Sequence, residues 1–208
     1  LSKASYQKVQ QDFFKRPDVL TIARELLGKI IVTNFNGELT SARIVETEAY
    51  AGVTDKAAHS YGGRRTARTE VMYGAAGTAY VYLCYGIHQL FNIVTNEIDI
   101  PQAILIRGAA PLEGIPVMLQ RTGKKQADFT LTRGPGNVSK ALGIKTLHTG
   151  STLFDDDWFI GSDGFTPVAD DIIATPRIGV DYAGEDALLP YRFVIRNNKY
   201  VSGKPIRL

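Results

Sequence analysis

The sequence predicts an α+β fold: one domain over residues 1–208, built on a curved, mostly antiparallel β-sheet with flanking helices and a protruding β-hairpin. Three observations lead there. Strand-like runs cluster along the chain instead of alternating regularly with helices, the pattern of α+β rather than α/β architecture. Asn36-Gly37 separates two apolar runs and is a strong hairpin signal. No repeat, low-complexity tract or Pro/Gly-rich linker divides the chain, and 208 residues with a hydrophobic fraction of 44% suit a single core.

The elements follow in order. After Pro17 and Asp18, the residues Val19, Ile22, Ala23, Leu26 and Leu27 fall on one helical face, with Asp18 placed to cap the start and Gly28 to end it in a left-handed conformation. "KIIVTNF" reads as a strand, and the partner across Asn36-Gly37 ends in "ETEAY". "TAYVYLCY", "QLFNIVTN" and "QAILIRG" read as three further strands, and "LEGIPVMLQR" and "NVSKALG" as helical segments. Short strands return in "DWFI", "TPRIGV" and "YRFVIRN".

Composition excludes several function classes. No apolar run is long enough to span a membrane. The stretch "LSKASYQKVQ" is too polar for a signal peptide, so the expected location is intracellular: cytoplasm or nucleoid in a bacterium, nucleus in a eukaryote. The single Cys84 rules out an internal disulfide, a four-cysteine iron–sulfur cluster and a zinc knuckle. His59, His88 and His148 show no metal-ligand spacing, so no metal is expected. Without a phosphate-loop or dinucleotide fingerprint, no cofactor is expected either.

The net charge of +3 is less telling than its distribution. Residues 120–148 hold six Lys or Arg against one Asp, residues 191–208 hold five against no acid, and residues 149–190 hold nine carboxylates against Arg177 alone. Either these are solvated faces of opposite sign, or a basic surface serves a polyanion while an acidic lobe stays off it.

Two carboxylates end an apolar strand. By simple alternation Ile44, Glu46, Glu48 and Tyr50 share one face, and Val45, Thr47 and Ala49 the other. Buried carboxylates are costly unless paired or employed, so a structural ion pair with an arginine such as Arg43 or Arg107, or a reaction, is being served. Tyr73, Tyr80, Tyr82 and Tyr85 then fall within thirteen residues. Aromatic stripes in strands are usually core, but Tyr85-Gly86 reads as a hairpin tip. An aromatic exposed at a tip can stack on a base or wedge into a duplex.

The stretches "RIVETEAYAGVTDKAAHSYGG", "GTAYVYLCYG" through "FNIVT", "ILIRGAAPLEG" and "TPRIGVDYAGEDALLPYRF" resemble the alkyladenine DNA glycosylase family, the mammalian-type 3-methyladenine DNA glycosylases. Weaker similarity in "DFFKRPDVLTIARELLGKIIV" and "RGPGNVSKALGI" extends the resemblance over nearly the whole chain. It implies a monofunctional glycosylase for damaged purines (3-methyladenine, 7-methylguanine, hypoxanthine, ethenoadenine), acting as a monomer on double-stranded DNA, away from membranes. A base must leave the stack to be reached. By the resemblance Tyr85 is the wedge that fills the gap, and Tyr50, His59 and Tyr82 hold the flipped base. Cationic alkylated purines would gain roughly 0.5–2 kcal/mol per cation–π contact there. Asn92 matches the family residue that crowds a two-amino group, and Val180 a backbone contact to the attacking water. Glu48 is the implied general base and Arg107 the arginine beside it, leaving Glu46 structural.

Arg64, Arg65 and Arg68 offer a phosphate grip, or merely a solvated loop. His88 in "GIHQLF" has no assigned role, and "TNEIDIPQA" departs from the family pattern. Two other readings stand beside the enzyme. One is a nucleic-acid binding module without turnover. The other is a small-nucleoside or sugar hydrolase using Glu46 and Glu48 as a pair.

Overall fold

Asp18 accepts hydrogen bonds from the backbone N–H groups of Leu20 and Thr21, satisfying two of the donors that a helix start leaves open. The helix it caps, α2 (Val19–Glu25), follows a short strand β1 (Gln7–Lys8) and a single-turn helix α1 (Gln11–Phe14). Leu26 and Leu27 are buried in the turn beyond α2, and Gly28 reverses the chain at φ 90°. The computed structural model describes residues 6–203; the first five residues of the polar N-terminal stretch, and Lys204 and Arg207 of the basic C-terminal run, lie outside them.

Among the described residues the sheet has nine strands, and every pairing between them is antiparallel. Strands β2 (Ile30–Phe35) and β3 (Glu38–Tyr50) form the hairpin across Asn36-Gly37, both of which take positive φ as that turn demands. Strands β4 (Ala79–Cys84), β5 (His88–Thr95) and β6 (Gln102–Glu113) follow, then helices α3 (Ile115–Thr122) and α4 (Pro135–Leu142). Strands β7 (Trp158–Ser162), β8 (Ile172–Thr175) and β9 (Arg192–Ile195) complete the sheet, whose order is β1-β7-β2-β3-β6-β5-β4 with β9 between β3 and β8. The main core lies where α2, α3 and α4 cover one sheet face, with Ile22, Leu26, Met118, Val138 and Leu142 against Ile31, Phe91, Ile93 and Ile106. This is the α+β architecture that the clustered strands imply.

The thirteen-residue β3 is central, and a register change in it makes the site. Along one edge it pairs with β2 up to Arg43 and with β9 from Glu46 to Glu48; β6 runs along the other edge. Against β6, Ile44 pairs with Ala109 and Glu46 with Gly108, so Val45 is an extra residue; Thr47 then pairs with Ile106, so Arg107 is an extra residue in β6. The two bulges cancel in register, but each re-aims its neighbours. Ala42, Ile44 and Ala49 consequently all join the main core, and the Thr47 hydroxyl donates to the carbonyl of Ala23 on α2. Ile44 therefore does not share a face with Glu46, Glu48 and Tyr50, as unbroken alternation predicts. The bulge at Val45 turns the carboxylates away from the helix-covered core.

"TPRIGV" also departs from its predicted strand. The strand, β8, ends at its first residue, Thr175, and residues 176–180 leave the sheet. Pro176 has no N–H for a ladder, Gly179 is left-handed at φ 77°, and the Ile178 N–H is spent on Glu48.

Candidate active site

Glu48 is fully buried, with its carboxylate at the meeting point of three elements. Oε1 accepts the Ile178 N–H at 2.8 Å, and Oε2 accepts the Tyr50 hydroxyl at 2.9 Å. Arg107, delivered by its bulge in β6, places Nε 3.3 Å from Oε1 and Nη1 3.4 Å from Oε2. The first two bonds are short and the arginine contacts long, so Arg107 supplies charge without saturating the carboxylate's lone pairs. Burial raises the Glu48 carboxyl above its ordinary range, and Arg107, the Ile178 N–H and the Tyr50 hydroxyl pull the other way. Burial also works against the charge of Arg107, but Glu48 and Glu46 outweigh it and hold the guanidinium protonated.

Glu46, also fully buried, is spent differently. Arg192 Nε donates to its Oε1 at 2.6 Å, the Ser202 hydroxyl donates to Oε1 at 2.9 Å, and the Ser202 N–H donates to Oε2 at 2.7 Å. Arg107 Nε approaches Oε1 at 3.4 Å, the longest of these contacts. Arg43, the other arginine that the sequence offers as an ion-pair partner, turns outward to Asp163.

Above Glu48 opens a cleft of about 560 Å³ lined by Tyr50, His59, Tyr82, Arg107, Val180 and Tyr182, among others. A recess of about 30 Å³ leads inward between Tyr50, Tyr82 and His59 to Asn92. Both amide hydrogens of Asn92 are taken, by the carbonyls of Tyr80 and Leu90, which leaves its carbonyl oxygen as the polar atom offered to the recess. His59 Nδ1 lies 2.8 Å from the Tyr80 hydroxyl, and its ring meets Tyr82 edge-on at 4.6 Å. Burial, helped by the charges of Arg68 and Arg64, lowers the His59 pKa to about 4, so the ring is neutral at pH 7. Burial likewise keeps the Tyr50 phenol protonated.

Each tyrosine already carries a guanidinium. Arg177 lies 4.9 Å over Tyr50, and Arg68 lies 5.0 Å over Tyr82. Arg177 is itself fixed by Asp55 through two bonds, of 2.5 Å and 2.8 Å, and by the carbonyl of Ala49 at 2.9 Å. Val180 is buried at the end of this segment, its carbonyl accepting the Ala183 N–H, and Ile178 two residues earlier donates the backbone N–H that reaches Glu48.

The rim carries the hairpin. Tyr85 is 90% exposed at the tip between β4 and β5, in a turn closed by the Ile87 N–H to the Cys84 carbonyl. Tyr85 and Gly86 both take positive φ, 50° and 73°. For a tyrosine that conformation costs roughly 1–2 kcal/mol, so stability of the fold does not explain the residue. His88 packs against Gly136 in α4, where a Cβ would stand 2.9 Å from its ring. Of the three arginines, Arg65 is engaged by Glu70 and Asp99, whereas Arg64 and Arg68 line a second cleft of about 460 Å³ with Lys56. Among the described residues, no group of three or more His, Cys, Asp or Glu is placed to hold a metal ion, and no helix is long and apolar enough to cross a membrane.

The fold thus brings Tyr50, His59, Tyr82, Asn92, Arg107 and Val180 around one cleft, puts Glu48 beneath it and Tyr85 beside it, and leaves Arg65 in ion pairs of its own. Sequence reasoning did not find Asp55, Arg177, Arg192 or Ser202. The first two belong to a buried ion pair whose members are 122 positions apart, and no local pattern announces such a pair.

A family model described as methylpurine-DNA glycosylase matches residues 12–199. A protein of Desulfitobacterium hafniense named "Putative 3-methyladenine DNA glycosylase" is 44% identical over 205 residues, covering 95% of this chain and all of that protein. Proteins of the same name from Clostridium perfringens and Chlamydia felis are 40% identical over 205 residues and 43% identical over 190 residues. Those two alignments cover 95% and 91% of this chain, and 100% and 96% of the respective relatives.

Proposed function

This chain belongs to the methylpurine-DNA glycosylase family and is a DNA glycosylase, and from that footing we propose that it flips damaged purines out of duplex DNA and hydrolyses the N-glycosidic bond, leaving an abasic site for base excision repair. The observation that carries the proposal is the fully buried Glu48, held by Tyr50 and Ile178 and faced by Arg107, beneath an aromatic cleft.

The chemistry runs as follows. The water oxygen bonds to C1′, its proton passes to the Glu48 carboxylate, and the C1′–N bonding pair departs with the purine. The carboxylate also stabilises the positive charge that grows on the sugar. A base is best matched to neutral pH when its pKa is raised toward it, which is the direction that burial gives Glu48. Arg107 keeps the ionised form accessible. No lysine lines the cleft or its recess among the described residues, which supports a monofunctional enzyme without Schiff-base chemistry. Glu46 has its oxygens committed to Arg192 and Ser202, which supports a structural role and argues against a two-carboxylate sugar hydrolase.

Tyr50, Tyr82 and the neutral His59 hold the flipped base, and Tyr85 fills the gap in the stack. The recess has room for about one water molecule, so Asn92 acts as a stop at its end and disfavours purines with a two-amino group. With a guanidinium already over each tyrosine, a cationic purine gains from cation–π attraction near the lower end of roughly 0.5–2 kcal/mol per contact. The pocket therefore accepts neutral lesions such as hypoxanthine and ethenoadenine beside 3-methyladenine, and takes 7-methylguanine less readily because that purine carries a two-amino group. Arg64 and Arg68 take the phosphates. The protein acts as one glycosylase domain, as a monomer, inside the cell where its substrate lies.

The test is single-turnover release of base from a duplex carrying one hypoxanthine and from methylated DNA, with Glu48→Gln alongside. The proposal expects release that falls by about 10²–10⁴-fold in the variant while duplex binding persists. Tight duplex binding with no release by the unaltered protein would instead identify a binding module, with Glu48 as the ion partner of Arg107.

A further inference from the structure

Arg107 is shared. Its guanidinium stands between two buried carboxylates, with all four of its contacts between 3.3 Å and 3.4 Å: Nε to Glu48 and to Glu46, Nη1 to Glu48, and Nη2 to the Ser202 hydroxyl. A guanidinium balanced in this way moves toward whichever carboxylate is less well satisfied by other donors. Its allocation is therefore decided by what else binds Glu46.

The last described segment decides it. Tyr200 to Gly203 runs beneath the bulged part of β6, close enough that a Cβ on Gly108 would lie 2.6 Å from the Tyr200 carbonyl. Ser202 is buried there and makes four polar contacts. Its N–H and hydroxyl donate to the two oxygens of Glu46, its hydroxyl oxygen accepts from Arg107, and its carbonyl accepts from Arg192 at 2.7 Å. Arg133 holds the Gly203 carbonyl at 3.0 Å from the side of α4. We propose that Ser202 is a positioning residue: by saturating Glu46 together with Arg192, it leaves the charge of Arg107 to Glu48. The residue touches neither Glu48 nor the cleft, and it lies in a segment that no motif marks.

This inference rests on the reading of Glu48 as the base. Charged and titratable groups reach Glu48 from every side: Glu46 and Tyr50 on its own strand, Arg107 on β6, Arg192 on β9, Tyr82 on β4, and Arg177 and Tyr182 from the segment around Val180. Of these groups Glu46, Arg107 and Arg192 are bonded to Ser202. Loss of the hydroxyl removes a donor from Glu46, which draws Arg107 toward Glu46 and away from Glu48, and it frees Nη2 of Arg107 to follow. A carboxylate that loses its cation takes up a proton more readily. A base must be ionised, so the acid limb of activity moves to higher pH.

The experiment measures single-turnover base release against pH for the full chain and for Ser202→Ala, Ser202→Thr and Ser202→Val, with ¹³C NMR titration of the Glu48 carboxyl in each. Thr and Val have the same shape, so any damage to folding is common to both and their difference reports the hydroxyl. The expected result is an acid limb displaced upward in Ala and Val, with plateau rates approached at high pH, and a limb restored in Thr. An unmoved limb, a loss of equal factor at every pH, or coincident Thr and Val profiles would overturn the inference. If the unaltered protein releases no base, the glycosylase proposal fails by itself. The carboxyl titration then decides this inference, which stands if Val titrates higher than Thr and falls if the two coincide.

Discussion

The ion pair behind the cleft gives the prediction with the largest magnitude. The Arg177 side chain is 0% exposed and that of Asp55 2%, and both bonds between them are short. Asp55 also accepts the N–H groups of Ala51 and Ala57, so it closes the loop after β3 as well as holding the arginine. Replacing Asp55 by Asn keeps the shape and removes the charge, leaving a buried guanidinium without compensation, which costs about 3–5 kcal/mol. For a domain of this size each kcal/mol moves Tm by about 2–4 °C, so Asp55→Asn lowers Tm by about 6–20 °C. The same change loosens Tyr50, whose ring Arg177 covers, and the adjoining Ile178 that donates to Glu48. Base release therefore slows even at temperatures far below the transition. A double-mutant cycle with Arg177→Met separates the pair from its surroundings, because removing both charges leaves none stranded. The double variant is expected to lose less stability than the two single losses together. A fall in Tm of less than about 3 °C for Asp55→Asn, or strict additivity in the cycle, would refute the account of Arg177 as a charge that must be paired.

Two further expectations concern the site directly. Tyr85→Gly relieves a left-handed tyrosine without removing a core contact, so thermal denaturation should show a Tm no lower than that of the parent, while single-turnover release from duplex DNA falls. Tyr50→Phe removes a hydroxyl whose bond to Glu48 lowers the carboxyl's pKa; since the base works ionised, a pH–rate profile should show the acid limb shifted upward, with stacking preserved at high pH.

How far the sequence alone could be read depends on whether each feature is written locally. The cap at Asp18, the Asn36-Gly37 turn and the tip at Tyr85-Gly86 are local chemistry, and they recur in the structure at those residues. The cleft residues within "ETEAY" and within "YVYLCY" are each local in sequence, and they sit on β3 and β4 of one sheet, with β6 and β5 between them. What escaped were partnerships over long separations: Glu46 with Ser202 across 156 positions, and Asp55 with Arg177 across 122. Several basic and acidic residues compete for each such match, and charge counts cannot choose among them. Asp163 takes Arg43, and Glu70 and Asp99 take Arg65, so the arginines left at the cleft are defined only after the others are spent.

The misplaced Ile44 shows the limit most sharply. Period-two alternation is a property of an unbroken ladder, and a single inserted residue inverts it for everything beyond. Val45 is an ordinary strand residue with nothing glycine-like about it, and Arg107 opposite is equally unremarkable in "ILIRG". Yet without those two bulges Glu46 and Glu48 would continue the face of Ala42 and Ile44 into the helix-covered core. There, carboxylates without partners would cost several kcal/mol or bind protons permanently. With the bulges, Thr47 and Ala49 take the core positions, β3 exchanges β2 for β9, and Arg107 swings to the side where the carboxylates now stand. The irregularity is thus what lets a core strand end in a reactive acid. Its signature lies in pairing rather than composition, so it becomes visible only once the neighbouring strands are in register.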